Sequence, residues 1–177
     1  MNKITAKEIA LSGVTAALAI IAVVLSHFVG VMTLTFLAVS SLVLTLPMMG
    51  GSFRGSVLAY VAAAGLSFLF VGYIAVMPFV IVFGPYPLLD YLLRKYLKKR
   101  VFYLSIEIAF ANGAFLACYF AIGLTLADFP LVDTLPTAGK WAVILVLLTA
   151  VFVVFHFAFT ALYDLLEKRL SRVLKKQ

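Results

Sequence analysis

The sequence contains few of the charged residues that soluble proteins place on their surfaces. Only 12% of its 177 residues are charged, and seven of them are acidic. A soluble domain is about one quarter charged and about half apolar, whereas 65% of this chain is apolar and its mean hydropathy is +1.17. Because a small domain leaves much of its surface wet, this composition excludes a soluble globule, a disordered chain and a nucleic-acid-binding domain. It indicates a protein of the lipid bilayer.

The groups that commonly carry enzyme chemistry are also missing. Cys118 is the single cysteine, which excludes an internal disulfide and a CxxC metal site. The HExxH, GxSxG and GxxxxGK[ST] motifs do not occur, and neither histidine has a carboxylate near it in sequence. We therefore expect no enzyme activity, no catalytic or metal-binding residues and no cofactor.

Six long apolar runs account for most of the chain. A helix needs about 20 apolar residues to cross the hydrocarbon core of a membrane. The runs that qualify are roughly 8–29, 33–49, 56–72, 73–93, 103–127 and 141–165. We predict an all-α integral membrane protein in which residues 1–177 form one transmembrane domain of six helices.

The basic residues are distributed unevenly between the two sides of these spans. Thirteen of the fourteen fall on one side, and Lys140 alone falls on the other. Lysine and arginine concentrate in cytoplasmic loops, so both termini are predicted to be cytoplasmic in a multi-pass protein of the cell membrane. The net charge of +7 is thereby explained by topology and anionic lipid rather than by nucleic acid.

Prolines interrupt the fourth predicted span at Pro78 and in the run Gly84-Pro85-Tyr86-Pro87. Each proline removes an N–H group and clashes with the preceding helical turn. Broken backbone at membrane depth must be satisfied by protein or by trapped water. We predict a kinked or partly unwound helix that is buried against its neighbours, with either a structural or a substrate-facing role.

Small residues recur on one face of two predicted helices. Membrane helices associate through close packing of such residues. The series in the fifth span is Ala109, Gly113, Ala117 and Ala121, and the series in the first is Ala6, Ala10, Gly13 and Ala17. We predict that the fifth-span series is an internal helix contact. The first-span series fits either internal packing or the docking of another membrane subunit.

Two polar side chains, Asn112 and His156, fall at similar depth inside the fifth and sixth spans. Polar groups at such depth are costly and raise a functional question. We predict that they hydrogen-bond to each other or to backbone, or that they contact a substrate at the bottom of a cavity.

The acidic residues near the membrane fit structural roles. Glu107 lies one or two turns into the fifth span and is predicted to reach toward Lys99 or Arg100. Asp90 has Arg94 at the i+4 position, which is a standard helix ion pair.

Aromatic and polar side chains gather toward the outer side of the predicted bundle. Tyrosine and tryptophan serve as interfacial anchors at this height, but aromatic faces with a few polar groups are also what a small-molecule pocket requires. The predicted substrate-binding residues are His27, Tyr73, Asn112, Tyr119, Trp141 and His156. Few charges face outward, so the expected ligand is largely neutral or aromatic.

The first helix reads Glu8-Ile9-Ala10-Leu11-Ser12-Gly13-Val14-Thr15-Ala16-Ala17-Leu18. With six spans and both ends inside, the chain resembles the substrate-binding S components of energy-coupling factor (ECF) vitamin transporters. The resemblance implies an S-component-like bundle in a bacterial plasma membrane, and a vitamin-like or precursor substrate bound from the outside. It also implies a transmembrane coupling subunit with two cytoplasmic ATPases as partners, docked on Ala10, Gly13 and Ala17.

Two other interpretations remain open. The chain fits a self-sufficient small transporter or channel, although neither an internal repeat nor a charged pathway is visible in the sequence. It also fits a regulatory membrane protein that binds no ligand.

Overall fold

The computed structural model describes residues 5–97, 100–123 and 136–174, and all regular structure in these ranges is helical. The α-helices are α1 (Ala6–Phe28), α2 (Thr33–Val43), α3 (Leu46–Met49), α4 (Phe53–Val71), α5 (Tyr73–Pro78), α6 (Pro85–Tyr96), α7 (Arg100–Ile122) and α8 (Thr137–Leu174). A 3₁₀ turn (Gly30–Met32) precedes α2, and a π-helical turn (Phe79–Phe83) joins α5 to α6.

Six helical stretches in the described ranges are long and apolar enough to cross a membrane, which confirms the predicted fold class. They are Ala6–Phe28, Gly30–Met49, Phe53–Val71, Tyr73–Tyr96, Val101–Ile122 and Gly139–Arg169. The architecture is that of a multi-pass membrane protein. Residues 124–127, with which the predicted fifth span ends, lie outside the described residues, as do Lys98 and Lys99.

The first helix begins at a capping box. Thr5 Oγ1 accepts a hydrogen bond from the backbone N–H of Glu8 at 3.3 Å, and the Glu8 carboxylate accepts one from the backbone N–H of Thr5 at 2.8 Å. Two of the N–H groups that a helix start leaves unpaired are thereby satisfied.

The closest helix packing joins α1 to α4 through small side chains. On α4, glycine, alanine or serine occurs at every fourth position of the buried face, namely Gly55, Ala59, Ala63 and Ser67. Most of the residues that α1 buries are also small, namely Ser12, Thr15, Ala16, Ala19, Ala22 and Ser26. A Cβ atom added at Gly55 would lie 2.7 Å from Ser12 Oγ. Small residues therefore do hold helices together in this bundle, as membrane packing requires.

The predicted internal contact of the fifth span is wrong. Ala109, Gly113 and Ala117 are exposed on α7, and a Cβ atom at Gly113 would meet nothing within 4 Å. The helix turns Ala111 and Ala114 inward instead. The physical reason is that α7 packs on α6 and α8 through larger polar and aromatic side chains. The close helix contact that small residues permit joins α1 and α4 instead.

The fourth span is kinked and buried, as the prolines predicted. Gly84 N–H bonds to the Phe79 carbonyl, which gives one π-helical turn. In that register the Val80 carbonyl faces Pro85, which has no N–H to donate. The Tyr60 hydroxyl donates to the Val80 carbonyl instead, at 2.7 Å.

The Phe83 carbonyl loses its helical donor in the same way, because the residue four positions later is Pro87. The hydroxyl of Ser41 on α2 donates to this carbonyl. The backbone gaps created by Pro85 and Pro87 are thus filled from neighbouring helices, as membrane depth demands.

Candidate functional site

Four of the six predicted substrate-binding residues lie along the border between α7 and α8. They are Asn112, Tyr119, Trp141 and His156. Tyr119 is only 7% exposed, and its ring meets that of Trp141 edge to face with 5.0 Å between the ring centroids.

Tyr73 on α5 lies at one end of this border. Its hydroxyl donates to the Ala121 carbonyl on α7 at 3.1 Å, while its side chain stays 52% exposed. Tyr73, Tyr119 and Trp141 therefore form an aromatic rim at one end of the α7–α8 border.

Asn112 lies deeper along the same border. Its Nδ2 donates to the Ile108 carbonyl at 3.0 Å and to Thr149 Oγ1 on α8 at 3.2 Å. Its Oδ1 atom is buried and has no hydrogen-bond partner among the described residues. The side chain bridges two helices and leaves one acceptor for an added donor.

His156 is placed with two residues that the sequence analysis did not assign to the site. The Tyr86 hydroxyl on α6 and the Glu107 Oε2 atom on α7 each lie 2.9 Å from His156 Nδ1. His156 is 4% exposed and Glu107 is fully buried. Of the predicted alternatives, Asn112 makes the bond to backbone, at the Ile108 carbonyl, and no bond joins it to His156.

The prediction that Glu107 reaches out toward the basic run before α7 is wrong. Its carboxyl group points into the bundle, because Tyr103 and Glu107 lie one turn apart on the same buried face of α7. Neither Glu107 oxygen has a hydrogen-bond donor in the described part of the chain, although His156 Nδ1 lies at ion-pair distance.

The predicted pair of Asp90 and Arg94 is confirmed and extends the polar interior. Arg94 Nε bonds to Asp90 Oδ1 at 3.0 Å, and the Tyr103 hydroxyl donates to the same carboxylate oxygen. Arg94 also donates to Thr160 Oγ1 at 3.2 Å and approaches Asp164 at 3.9 Å, both on α8. With one third of its side chain exposed, Arg94 connects this region to the surface.

We refer to these six side chains as the buried acid–base cluster. They are Tyr86, Asp90, Arg94, Tyr103, Glu107 and His156. A spacing of four residues links its members on each helix, as in Tyr86-Asp90-Arg94 on α6 and Tyr103-Glu107 on α7. That spacing places the members of each helix on one helix face. It is the sequence signal from which Tyr86 and Tyr103 could have been predicted to join the acidic residues.

His27 stands apart from the other predicted residues. It lies in the last turn of α1, is exposed, and meets the ring of Phe28. The structure does not bring it into contact with the α7–α8 border.

The docking residues predicted on α1 lie on an open face. Ala10, Gly13 and Ala17 are all exposed, and a Cβ atom at Gly13 would meet nothing within 4 Å. We call these three residues the α1 outer strip. The buried residues of α1 lie on its opposite face, so the strip stays exposed.

A cavity of about 130 Å³ lies between α2 and α8. Its lining residues are Thr35, Ala38, Val39, Leu42, Phe155, Ala158, Phe159 and Leu162. None of the six predicted substrate-binding residues is among them. In the described residues, no group of three or more histidine, cysteine or acidic side chains is arranged to hold a metal ion.

No family model, no characterised protein and no solved structure gives a significant match to this chain. The candidate sites are therefore interpreted from their own geometry and chemistry.

Proposed function

We propose that this chain is the substrate-capture subunit of an ECF-type importer in a bacterial plasma membrane, with both termini cytoplasmic. It binds a small vitamin-like or precursor molecule from the outside. A separate coupling subunit and two ATPases supply the energy for delivery. The observation that carries the proposal is the exposed α1 outer strip, which the sequence resemblance assigns to the coupling subunit.

The surroundings of the strip support a membrane-embedded partner. Val14 is 59% exposed beside it, and Leu18 is also exposed. The surface is therefore apolar and nearly flat, which favours close approach of another helix. Because the opposite face of α1 holds α4, a partner on the strip leaves the internal packing intact.

The proposed ligand site is the α7–α8 border with its aromatic rim. Tyr73, Tyr119 and Trp141 supply aromatic surface, and the unpaired Oδ1 atom of Asn112 accepts a hydrogen bond from the ligand. A largely neutral or aromatic molecule suits this lining. His156 lies at the deep limit of the site, whereas His27, on α1, is not part of it.

Transport in this proposal proceeds by tipping of the whole bundle within the membrane. ATP hydrolysis moves the coupling subunit, which turns the loaded site toward the cytoplasm. Across the described spans few polar groups face outward, so tipping moves little polar surface through hydrocarbon.

The docking proposal is tested by substitution at Gly13. The chain is co-expressed with the coupling subunit and ATPases of its host, and complex formation is measured by co-purification. Gly13→Leu places a bulky side chain on the strip and is expected to abolish the complex while the subunit still folds, because the site has open space.

Gly113→Leu is the matched control. Gly113 is also an exposed helical glycine with nothing within 4 Å of an added Cβ atom, but it lies on α7. It is expected to leave the complex intact. Equal complex formation by both variants contradicts docking on the strip.

The ligand site is tested by mass spectrometry of small molecules that co-purify with the protein, followed by titration. Trp141 is the only tryptophan, so its fluorescence reports binding at the rim without a label. Tyr119→Ala is expected to weaken binding of the molecule found. Unchanged affinity in this variant places the site elsewhere. Failure of a panel of vitamins and precursors to stabilise the protein favours the regulatory interpretation.

A second candidate function is favoured by the buried acid–base cluster. Ionisable groups inside a membrane bundle mark ion or proton pathways in many transporters, and the sequence alone did not reveal this one. A self-sufficient, proton-coupled transporter would use Glu107 and His156 in this way. Substrate uptake by vesicles that contain only the purified chain distinguishes it from the capture subunit, which requires its partners.

A further inference from the structure

The charges of the buried acid–base cluster do not balance without an added proton. It contains two carboxyl groups, Asp90 at 2% exposure and Glu107 at 0%. Arg94 is bonded to Asp90, and the negative charge of Asp90 also acts on Glu107. Among the described side chains, the base at ion-pair distance of Glu107 is His156, whose positive charge is itself a bound proton.

Two side chains compete for the same ring nitrogen of His156. Nδ1 lies 2.9 Å from both the Tyr86 hydroxyl and Glu107 Oε2. A ring nitrogen carries either a proton or a lone pair. When Nδ1 is protonated it faces the Glu107 carboxylate as an ion pair. When it is not, its lone pair accepts a hydrogen bond either from the protonated Glu107, along which the proton can transfer, or from Tyr86.

The neighbourhood of this pair includes titratable groups on three helices. They are Tyr86, Asp90 and Arg94 on α6, Tyr103 on α7, and Tyr163 and Asp164 on α8. α2 and the π-helical turn also pack against this part of the bundle, and their sequences contain no ionisable side chain. Arg94 is bonded to Asp90 and is partly exposed, so its positive charge does not compensate a negative charge on Glu107.

We propose that Glu107 and His156 form a membrane-buried proton-binding site in which the two side chains together hold one exchangeable proton. The proton lies on Glu107 when both groups are neutral. It lies on Nδ1 when they form an ion pair. Transfer breaks the O–H bond as the N–H bond forms, and the net charge of the pair stays zero. A bare carboxylate beside a neutral imidazole would be an uncompensated buried charge, which low-dielectric interiors do not tolerate.

Asp90 and Arg94 link the site to solvent. Asp90 is the carboxyl group next to Glu107, and Asp90 is bonded to Arg94. The Arg94 side chain is 33% exposed, and the nearby Asp164 side chain is 54% exposed. The proton therefore exchanges with the side of the membrane on which Arg94 lies. Its position also decides whether Tyr86 bonds to His156, so it changes a contact between α6, just after the π-helical turn, and α8.

The test uses the full chain with His27→Asn, which leaves His156 as its only histidine. The exposed position of His27 makes this change compatible with folding. Nitrogen-15 NMR of labelled histidine in lipid nanodiscs distinguishes neutral imidazole from imidazolium. Infrared spectroscopy detects the carbonyl band of a protonated carboxyl group. Labelling the three glutamates with carbon-13 identifies that band as glutamate without a mutation, and Glu8 and Glu167 lie at the ends of their helices.

The expected result at neutral pH is one proton in the pair. This is either neutral imidazole with a protonated glutamate band or imidazolium without one. Raising the pH should remove this proton in one step, seen as loss of the glutamate band in the first case and as loss of the imidazolium signal in the second. At neutral pH, neutral imidazole without the band or imidazolium with the band would each overturn the proposal. Loss of two protons from the pair as the pH rises would overturn it as well.

Glu107→Gln provides a second measurement. This variant removes the carboxylate that stabilises imidazolium, so His156 is expected to remain neutral and to keep its bond to Tyr86. An imidazolium signal in this variant at neutral pH contradicts the shared proton. Neither result depends on whether the chain works with an ECF module or alone.

Discussion

Substitution of Gly55 by alanine should separate α1 from α4. The added Cβ atom would lie 2.7 Å from Ser12 Oγ, 3.0 Å from Ser52 Oγ and 3.1 Å from Pro47 Cβ. All three distances are shorter than ordinary van der Waals contact to carbon, which begins near 3.5 Å. At least one neighbour must therefore move.

The two serine hydroxyls are not free to move without loss. Ser12 Oγ donates to the Glu8 carbonyl at 2.7 Å, and Ser52 Oγ accepts from the Gly55 N–H at 3.1 Å as the N-cap of α4. A typical hydrogen bond contributes about 0.5–1.5 kcal/mol, and overpacking costs about 1–3 kcal/mol. Alanine gains up to about 1 kcal/mol over glycine in a helix. We expect a net loss of about 1–2 kcal/mol in the free energy of unfolding.

The matched control is Gly65→Ala on the same helix. A Cβ atom at Gly65 meets nothing within 4 Å, so only the helix propensity term remains and the variant should be as stable as the parent or slightly more. Thermal unfolding in a mild detergent, followed by circular dichroism, measures both variants under identical conditions.

A double variant shows whether the collision is the cause. Ser12→Ala removes the Oγ atom that lies closest to the added Cβ, so Ser12→Ala combined with Gly55→Ala should recover part of the lost stability. Residues in contact give such non-additive effects. If Gly55→Ala matches Gly65→Ala, or if the two substitutions simply add, the close α1–α4 contact is not as described.

Three further changes have expected outcomes in the same unfolding assay. Tyr60→Phe removes the donor to the Val80 carbonyl and should cost about 1 kcal/mol; no loss would mean that another group satisfies this carbonyl. Asn112→Ala removes the bridge to Thr149 and should cost about 0.6–1 kcal/mol, the usual value between membrane helices; an unchanged midpoint argues against the bridge. Gly72→Ala forces a side chain onto backbone at φ 82° and ψ 169°, so it should cost about 1–3 kcal/mol; a neutral effect would contradict that conformation.

The number and type of the membrane helices were predictable because they depend on local composition. A run of about 20 apolar residues has few alternatives to a spanning helix. The kink was predictable for the same reason, since proline removes a donor wherever it lies. Which side chains would fill the resulting gaps was not, because Ser41 and Tyr60 are distant in sequence from the carbonyls they bond.

The side of a helix that faces a neighbour could not be inferred from small residues alone. Residues 55–67 and 109–121 both place a small side chain at every fourth position. The first series is buried and the second is largely exposed. Their difference comes from the partner helix: α1 presents its own small residues to α4, whereas α7 meets aromatic and charged side chains of α6 and α8.

Part of the candidate site could likewise be predicted from the sequence, and part could not. Tyr119 and Trp141 were correctly expected near one another, because both lie toward the same end of neighbouring spans. Glu107 was misplaced because a carboxyl group near a helix end usually reaches solvent. Its burial depends on His156, which lies 49 positions later in the chain and could be paired with it only in three dimensions.

The length of α8 makes this protein sensitive to the thickness of its host membrane. Its stretch between Lys140 and Asp164 has 23 residues and no Asp, Glu, Lys or Arg, so it measures about 35 Å, against about 30 Å of hydrocarbon in an average membrane. Such a mismatch is relieved by tilt or by local thickening of the lipid. Lipids with longer acyl chains should therefore let α8 stand more upright, and the protein is expected to sort toward the thicker regions of a mixed membrane.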